Sequence, residues 1–387
     1  MLSPITNYKK TVFALGLALS LLFLAGCKKQ PVHIVASITQ PAISAGENNC
    51  EVNTAGRVLC WSDNDNGLEG RAVNQASMDI VHIVEQGATQ ATPMANAIAV
   101  DIGVNSGCAL RSINNASART VACWDVSVIP HLAQTLTVWE RSIRSGNVVQ
   151  QVTVGANHVC ALLKNGEVEC IGDNNLGQLG DGTINPNSFS NVQGLGLAAK
   201  FISAGDNYTC VLLSDNTVKC WGDNSAGQLA YDTLNDTGLT YSALPVTAQS
   251  VTGVSTISAG SNYSCALLVD RSLQCWGSNT KGQLGDGNLT SISAPVGVLG
   301  INNAKLVSAG SEHTCAVLLD NTVKCWGAND EGQLGNLEQV DSLTPVDILV
   351  EGVNNNLRSI SVGNKHSCAL RNDNTVKCWG GVEPVTP

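Results

Sequence analysis

The chain has 387 residues, of which 38 are glycine and 15 cysteine; only 13% are charged, and the formal charge is −10. So many glycines and so few charges suit short strands and tight turns rather than long solvated helices. The acidic balance argues against nucleic acid as a partner, because phosphates need local Lys and Arg, and the nearest thing to a basic cluster is Arg141 and Arg144 beside Trp139.

Residues 1–26 come first. Lys9 and Lys10 precede the run "TVFALGLALSLLFLAG", which stops at Cys27. A basic end, a short apolar run and small residues before a cut site predict an export signal, and the run is short for a membrane span. The tetrad Leu24-Ala25-Gly26-Cys27 resembles the lipobox of bacterial lipoproteins. That resemblance implies cleavage before Cys27, diacylation of that cysteine and a stable lipid anchor in a bilayer. Inner-membrane retention in such proteins goes with an aspartate after the cysteine; Lys28 there implies the outer membrane of the cell envelope. Loss of Lys9 and Lys10 with the signal takes the mature charge from −10 to −12. The expected organisation is a signal over 1–26, a tether over 27–35 and one domain over 36–387.

From Cys50 onward the chain repeats itself. "CALLKNGEVECIGDNNLGQLG" begins at Cys160, "CVLLSDNTVKCWGDNSAGQLA" at Cys210, "CALLVDRSLQCWGSNTKGQLG" at Cys265 and "CAVLLDNTVKCWGANDEGQLG" at Cys315. A shorter copy starts at Cys368, and degenerate ones at Cys50 and Cys108. First cysteines thus recur every 50 to 58 residues, seven times. Self-similarity at that period marks a repeat architecture.

Fourteen cysteines fall into seven pairs, leaving Cys27 for the lipid. In an exported chain such pairing reads as disulfides. If Cys160 faces Cys170, a three-residue loop, Lys164-Asn165-Gly166, joins the strands, and its last residue needs the left-handed region. Gly56, Gly166, Asn216, Asn321 and Asn374 meet that demand; Arg271 does not. The spacing therefore predicts cross-strand disulfides Cys50–Cys60, Cys160–Cys170, Cys210–Cys220, Cys265–Cys275, Cys315–Cys325 and Cys368–Cys378. Cys108–Cys123 encloses a longer, bulged or extended hairpin. Zinc is not expected, since its sites favour short Cys-x-x-Cys steps and four converging ligands.

Stretches such as "CAVLL" are apolar on both faces, so each strand is covered on both sides. A further apolar strand precedes each unit ("FISAG", "TISAG", "LVSAG", "SISVG"), and Pro-Val recurs at Pro245, Pro295 and Pro345. About four short strands per unit of some fifty residues point to an all-β propeller of seven blades. The last unit stops at Gly380, so its outer strand is expected to be missing or supplied by "PVHIVASI" at 31–38.

The stretch "ISAGSNYSCALLVDRSLQCWGSNTKGQLGDG" resembles the RCC1 repeat, the regulator of chromosome condensation family. The resemblance lies in the Ala-Gly, the "ALL" strand, Trp-Gly-x-Asn-x-x-Gly-Gln-Leu-Gly and the later Pro-Val. It covers roughly residues 36 to 385 and implies a seven-bladed propeller; the paired cysteines resemble an exported bacterial branch. The nuclear member exchanges nucleotide on a small GTPase and binds chromatin, and another exported member inhibits β-lactamases.

Several residues invite functional readings. His158, His313 and His366 share one slot with Tyr208 and Tyr263; interchange with Tyr predicts packing and hydrogen bonding rather than a metal ring. The turn holding Asp173, Asn174, Asp181 and Gly182 lacks the acid spacing of a calcium loop, and Asn174 and Gln178 are expected to bond backbone. Trp61, Trp124, Trp221, Trp276, Trp326 and Trp379 recur with the repeat and read as blade packing. The segment "IPHLAQTLTVWERSIRSG" departs from it, which makes His131, Trp139, Arg141 and Arg144 the candidate partner-binding residues; the loop 232–241 is second.

No nucleophile elbow, zinc-protease motif or phosphate loop is present. The expectation is a lipid-anchored envelope propeller, monomeric, without cofactor, metal or catalytic activity. It would bind an unidentified envelope or extracellular protein and no nucleic acid. The alternatives are an envelope hydrolase, a glycan binder or an inhibitor of a secreted enzyme. Guanine-nucleotide exchange is not expected of a chain that faces away from the cytosol.

Overall fold

Opposed cysteines set the register of every blade. In the computed structural model Cys160 lies across from Cys170, Cys210 from Cys220, Cys265 from Cys275, Cys315 from Cys325 and Cys368 from Cys378. Cys50 and Cys60, and Cys108 and Cys123, are paired likewise. All seven pairs are disulfides, with Cα atoms 4.0–4.1 Å apart. The structure describes residues 43–45, 49–53, 55–62, 77–82, 95–113, 118–125, 148–186, 190–231, 240–354 and 356–381, all within the unit Gln40–Pro387. Cys27, the tether and the stretch 31–38 lie outside the described residues.

The three-residue loops behave as the register requires. Gly56, Gly166, Asn216, Asn321 and Asn374 hold φ between +66° and +84°. Arg271 takes φ +74° as well, so it departs in residue type and not in conformation. The carboxylate of Asp270 steadies that turn, accepting from the Ser272 N–H at 3.0 Å and the Ser272 hydroxyl at 2.7 Å. The Cys108–Cys123 hairpin is of the extended kind, its ladder running on to Ile113 opposite Ala118.

Seven antiparallel sheets follow in chain order, each built outward from its first strand. Blade four shows the pattern with Ala199–Ala204, Tyr208–Leu213, Val218–Asp223 and Tyr241–Thr247. Blades one, three, five and six also have four strands, starting at Ile43–Ala45, Val149–Val154, Val254–Ala259 and Ala304–Ala309. Blades two and seven, from Ala97–Ile102 and Leu357–Val362, show three strands among the described residues, and no helix occurs there. The arrangement is a seven-bladed β-propeller. In six blades a bulge interrupts the first strand, as between Ala199 and Phe201, which adds twist near the axis.

Among the described residues the core is divided into several clusters. Apolar side chains gather between neighbouring blades: Val218, Leu229 and Val254 with Trp276 between blades four and five, Leu273 and Leu284 with Trp326 between five and six. Corresponding clusters fill the other seams. The seam between blade seven and blade one holds Ile43 against Cys368 and Leu370.

A second set of contacts runs round the axis. Ser44, Asp101, Thr153, Ser203, Ser258, Ser308 and Ser361 occupy one slot on the seven innermost strands. Each side-chain oxygen accepts a backbone N–H from the following blade, at 2.8–3.1 Å. The last, from the Ala45 N–H to Ser361 Oγ at 2.9 Å, joins blade seven back to blade one. The ring therefore closes through Ile43–Ala45, packed side by side with blade seven.

Candidate functional site

Where the innermost strands end, Gly103, Gly155, Gly205, Gly260, Gly310 and Gly363 crowd the axis. A Cβ on Gly103 would lie 1.8 Å from the Gly155 oxygen, on Gly205 2.3 Å from that of Gly260, and on Gly310 2.3 Å from that of Gly363. Only glycine lets backbones approach so closely. The Asp206 N–H donates to Ser261 O at 3.3 Å, the Ser261 N–H to Gly310 O at 3.1 Å and the Ser311 N–H to Gly363 O at 3.2 Å, tying the turns together.

These turns surround a cavity of about 90 Å³, with Asp206, Ser261, Ser311 and Asn364 as its polar lining. Sites for drug-sized molecules run to about 300–1,000 Å³, so the axis has room for waters or an ion-sized group only. Among the described residues Asp206 is the one carboxylate lining it. Among the described residues no three His, Cys, Asp or Glu side chains converge as a metal site would require.

The shared His/Tyr slot forms a buried girdle behind this cavity. Tyr263 donates to His313 O at 2.6 Å and lies 2.9 Å from Thr314 Oγ1. Tyr208 donates to Tyr263 O and lies 3.0 Å from Ser264 Oγ. His158 Nε2 is 2.8 Å from Thr209 Oγ1, and His313 Nε2 is 2.8 Å from Ser367 Oγ. Each of these four rings thus reaches into the next blade, the packing and hydrogen-bonding role that the interchange of His and Tyr implies. Desolvation holds His158 and His366 down to about 4 and His313 to about 3, so all three imidazoles are neutral at neutral pH. Burial likewise raises the Tyr208 and Tyr263 hydroxyls.

The Gly-Gln-Leu-Gly turns grip the tryptophans. Trp221 Nε1 donates to Gln178 O at 2.9 Å, Trp276 to Gln228 O at 2.9 Å, Trp326 to Gln283 O at 2.9 Å and Trp379 to Gln333 O at 3.0 Å. In every case the indole belongs to the blade after the glutamine. Within the turn, Asn174 Oδ1 accepts the Leu179 N–H at 3.0 Å and Gln178 Oε1 the Leu176 N–H at 2.9 Å. Asn224, Asn279 and Asn329 repeat the first contact. Asp181 is spent locally too, accepting from Ser190 and Thr183, which holds its carboxyl below the usual range despite partial desolvation.

His131, Trp139, Arg141 and Arg144 lie outside the described residues, as does most of the loop 232–241. Reading the chain missed the slot led by Asp101. Its Oδ2 accepts the Val154 N–H at 2.8 Å and its Oδ1 the Ser44 hydroxyl at 2.9 Å. Desolvation outweighs those bonds and pushes the carboxyl up to about 6. The signal was available: one acid in a slot otherwise filled by Ser or Thr.

Known proteins bear on this geometry. Two models described as the Regulator of chromosome condensation (RCC1) repeat match the chain. One takes residues 149–178, 199–228, 254–283 and 304–333, the other 273–317 and 320–370. None of the curated proteins matches it significantly. Among solved structures, human WBSCR16 superposes with a TM-score of 0.69 at 18% identity, over 86% of this chain and 88% of that one. Yeast RCC1 (Prp20), solved bound to Kap60, gives 0.68 at 19%, over 88% and 80%. The CRINKLY ectodomain of the Arabidopsis thaliana receptor kinase ACR4 gives 0.51 at 18%, over 90% and 97%. The repeated Trp–Gln grip, the glycine-crowded axis and these matches lead to one conclusion: the chain belongs to the RCC1-repeat family.

Proposed function

We propose that this protein is a lipid-anchored propeller of the cell envelope that binds another protein and performs no catalysis. The observation that carries the binding reading is the contrast between frame and loops. One set of slots recurs from blade to blade, while the connections between third and fourth strands differ in length, charge and apolar content. Such loops on a rigid scaffold suit recognition. One protein of the same fold is described by such binding: yeast RCC1 (Prp20) was solved bound to Kap60, and a second structure of it is described with its binding to Gsp1p and histones. Export is supported by the lipobox-like Leu24–Cys27 and by seven disulfides, which suit an oxidising compartment.

The reading calls for no cofactor or metal. It takes the protein to be a monomer of the outer membrane, held through acylated Cys27, with the blade-two segment at His131, Trp139, Arg141 and Arg144 as contact surface. Nucleotide exchange is the second reading. The fold is shared with yeast RCC1, and export is what argues against it. Two experiments test the proposal. Intact mass of the mature protein should show acyl mass on Cys27 and loss of residues 1–26. Crosslinked capture from envelope extracts should yield one partner that a Trp139→Ala, Arg141→Ala, Arg144→Ala variant no longer takes. Retention of residues 1–26 sinks the anchor; equal capture by both proteins discards the blade-two site.

A further inference from the structure

Blade six breaks the pattern of its neighbours at one backbone position. In blades three and five the second residue after the Gly-Gln-Leu-Gly turn is Gly182 and Gly287, at φ +85° and +83°. In blade six it is Leu337, at φ +67° and 83% exposed. The frame beneath it is unchanged. Asn329 Nδ2 donates to Asn336 Oδ1 at 3.0 Å and to Glu338 O at 2.8 Å, as Asn279 does to Asp286 Oδ1 and Asn288 O at 3.1 and 3.0 Å. A leucine has thus replaced a glycine in the left-handed region, where a side chain strains the backbone, and its own side chain gains almost no burial. Strain kept without packing in return points to a use outside the fold.

Leu337 is not isolated. The Leu349 N–H donates to Gly335 O at 2.8 Å, and Leu349 is 60% exposed. In blades three and four the same slot holds Gln193 and Gln249, each donating to its own turn. In blade five the Cβ position of Gly287 lies 3.3 Å from Leu299 Cδ1, and Leu299 is the counterpart of Leu349. The two leucines of blade six therefore occupy neighbouring slots. Val340, 68% exposed, leaves the same loop, its carbonyl held by Asn329 Nδ2 at 3.2 Å.

Charge singles out the same blade. Residues 304–353 hold eight carboxylates and two lysines, a net −6 within a chain of −10. Lys324 is paired with Asp347 at 2.7 Å, and Lys281 and Lys365 of the neighbouring blades pair with Asp341 and Glu331 at 3.2 and 2.9 Å, while Glu338 and Glu351 flank the leucines in sequence. We propose that the rim of blade six, anchored on Leu337, is a docking surface for a cationic protein segment carrying an apolar side chain. A second copy is disfavoured, because a two-fold interface sets the patch against itself and would bring Glu338 and Glu351 of one copy toward those of the other. Anionic lipid and nucleic acid are repelled for the same reason. The inference shares with the proposed function the premise that the propeller binds protein, but not the blade-two site.

The test uses the full disulfide-bonded chain and a fluorescent amphipathic peptide of Leu and Lys, with the same pattern in Leu and Glu as control. Fluorescence anisotropy at low ionic strength should show binding of the Leu/Lys peptide only, weakened by salt. Leu337→Gly restores the residue of the sister blades and relieves the backbone, so its melting temperature should hold or rise while affinity falls at least about fivefold. Leu337→Asn, which also tolerates the left-handed region, should lose affinity similarly. The blade-two triple variant should bind the peptide unchanged, which separates this surface from that one. No binding by wild type, equal binding by Leu337→Gly, or equal binding of the Leu/Glu peptide would overturn the proposal. So would sedimentation showing a wild-type dimer that Leu337→Gly abolishes, since the occupant would then be a second copy.

Discussion

Ser361 Oγ accepts the amide proton of Ala45 across 316 residues of chain. Among the described residues it is the one such side-chain bond joining the last blade to the first, beside an apolar cluster built on Ile43, Cys368 and Leu370. Ser361→Ala leaves the Ala45 N–H buried without an acceptor, which costs about 1–3 kcal/mol. The matched change Ser258→Ala, facing Ala309, should cost a similar amount. Only the first should open the terminal seam, so limited proteolysis should cut near residues 43–52 in Ser361→Ala and leave Ser258→Ala whole. Equal resistance in both would mean that the seam is held elsewhere.

The crowded axis gives a sharper contrast. A Cβ on Gly205 would meet Tyr208 Cε1 at 2.0 Å and Gly260 O at 2.3 Å. The second of these is backbone and cannot swing aside. Gly205→Ala should therefore lose at least about 3 kcal/mol, at the severe end for point changes. Gly297→Ala has nothing within 4 Å of the new carbon and should melt within about 0.5 kcal/mol of the parent. Denaturant unfolding of the pair decides the matter; similar losses would show that the axis is looser than its geometry.

Acid should act through two opposed sets of groups. His158, His313 and His366 titrate near 4, 3 and 4 in the fold, below the ordinary 6.5. As pH falls below 6.5 the unfolded chain takes protons first, so stability is lost, roughly 3 kcal/mol per histidine by pH 4. Asp101 runs the other way. Its folded carboxyl stands near 6 against an ordinary 3.8, so between those values the folded chain takes the proton first and acidification adds roughly 2 kcal/mol. Asp101→Ser installs the common occupant of the slot. Melting at pH 7 should rise, and the decline toward pH 4 should steepen. A profile parallel to wild type would show that the Asp101 carboxyl titrates normally.

Each disulfide closes a short loop, worth roughly 3 kcal/mol by chain entropy. Replacing Cys265 and Cys275 together by Ser should lower the unfolding free energy by about that amount without unfolding the ring, because Leu267, Leu273 and Trp326 still fill the seam. Peptide mapping without reductant should recover the other six bridges, each within one blade. A bridge between blades, or collapse of far-ultraviolet circular dichroism at room temperature, would contradict this.

What the chain disclosed in advance was local. Cysteines ten apart, with Gly or Asn closing the loop between them, fix a hairpin by themselves, and seven copies give the ring. Arg271 shows the limit: its residue type gave no warning that it would hold φ +74°, because the register of its neighbours imposes that angle. The seven-slot axial ring was hidden for another reason. Ser258 and its donor Ala309 stand 51 residues apart, and nothing in either stretch reveals that the strands abut. The axial cavity needs seven strand ends to converge and has no motif. Leu337 was visible once repeats were laid over one another, but its meaning depends on φ +67° and 83% exposure.

Each set of seam contacts keeps its own direction from blade to blade. In the axial set the earlier blade contributes the accepting side-chain oxygen and the later blade the amide at all seven seams, and the indoles named above obey the same rule. The axial turns and the Tyr208 and Tyr263 hydroxyls donate the other way, from the earlier blade to the later. A ring whose contacts repeat in this way has no chemically privileged starting point. Joining Ile43 to Gly380 through a linker and opening the chain between blades four and five, at Gln249-Ser250, would leave each seam with the partners it already has. Circular permutants of this propeller should therefore assemble the same ring from a different first blade.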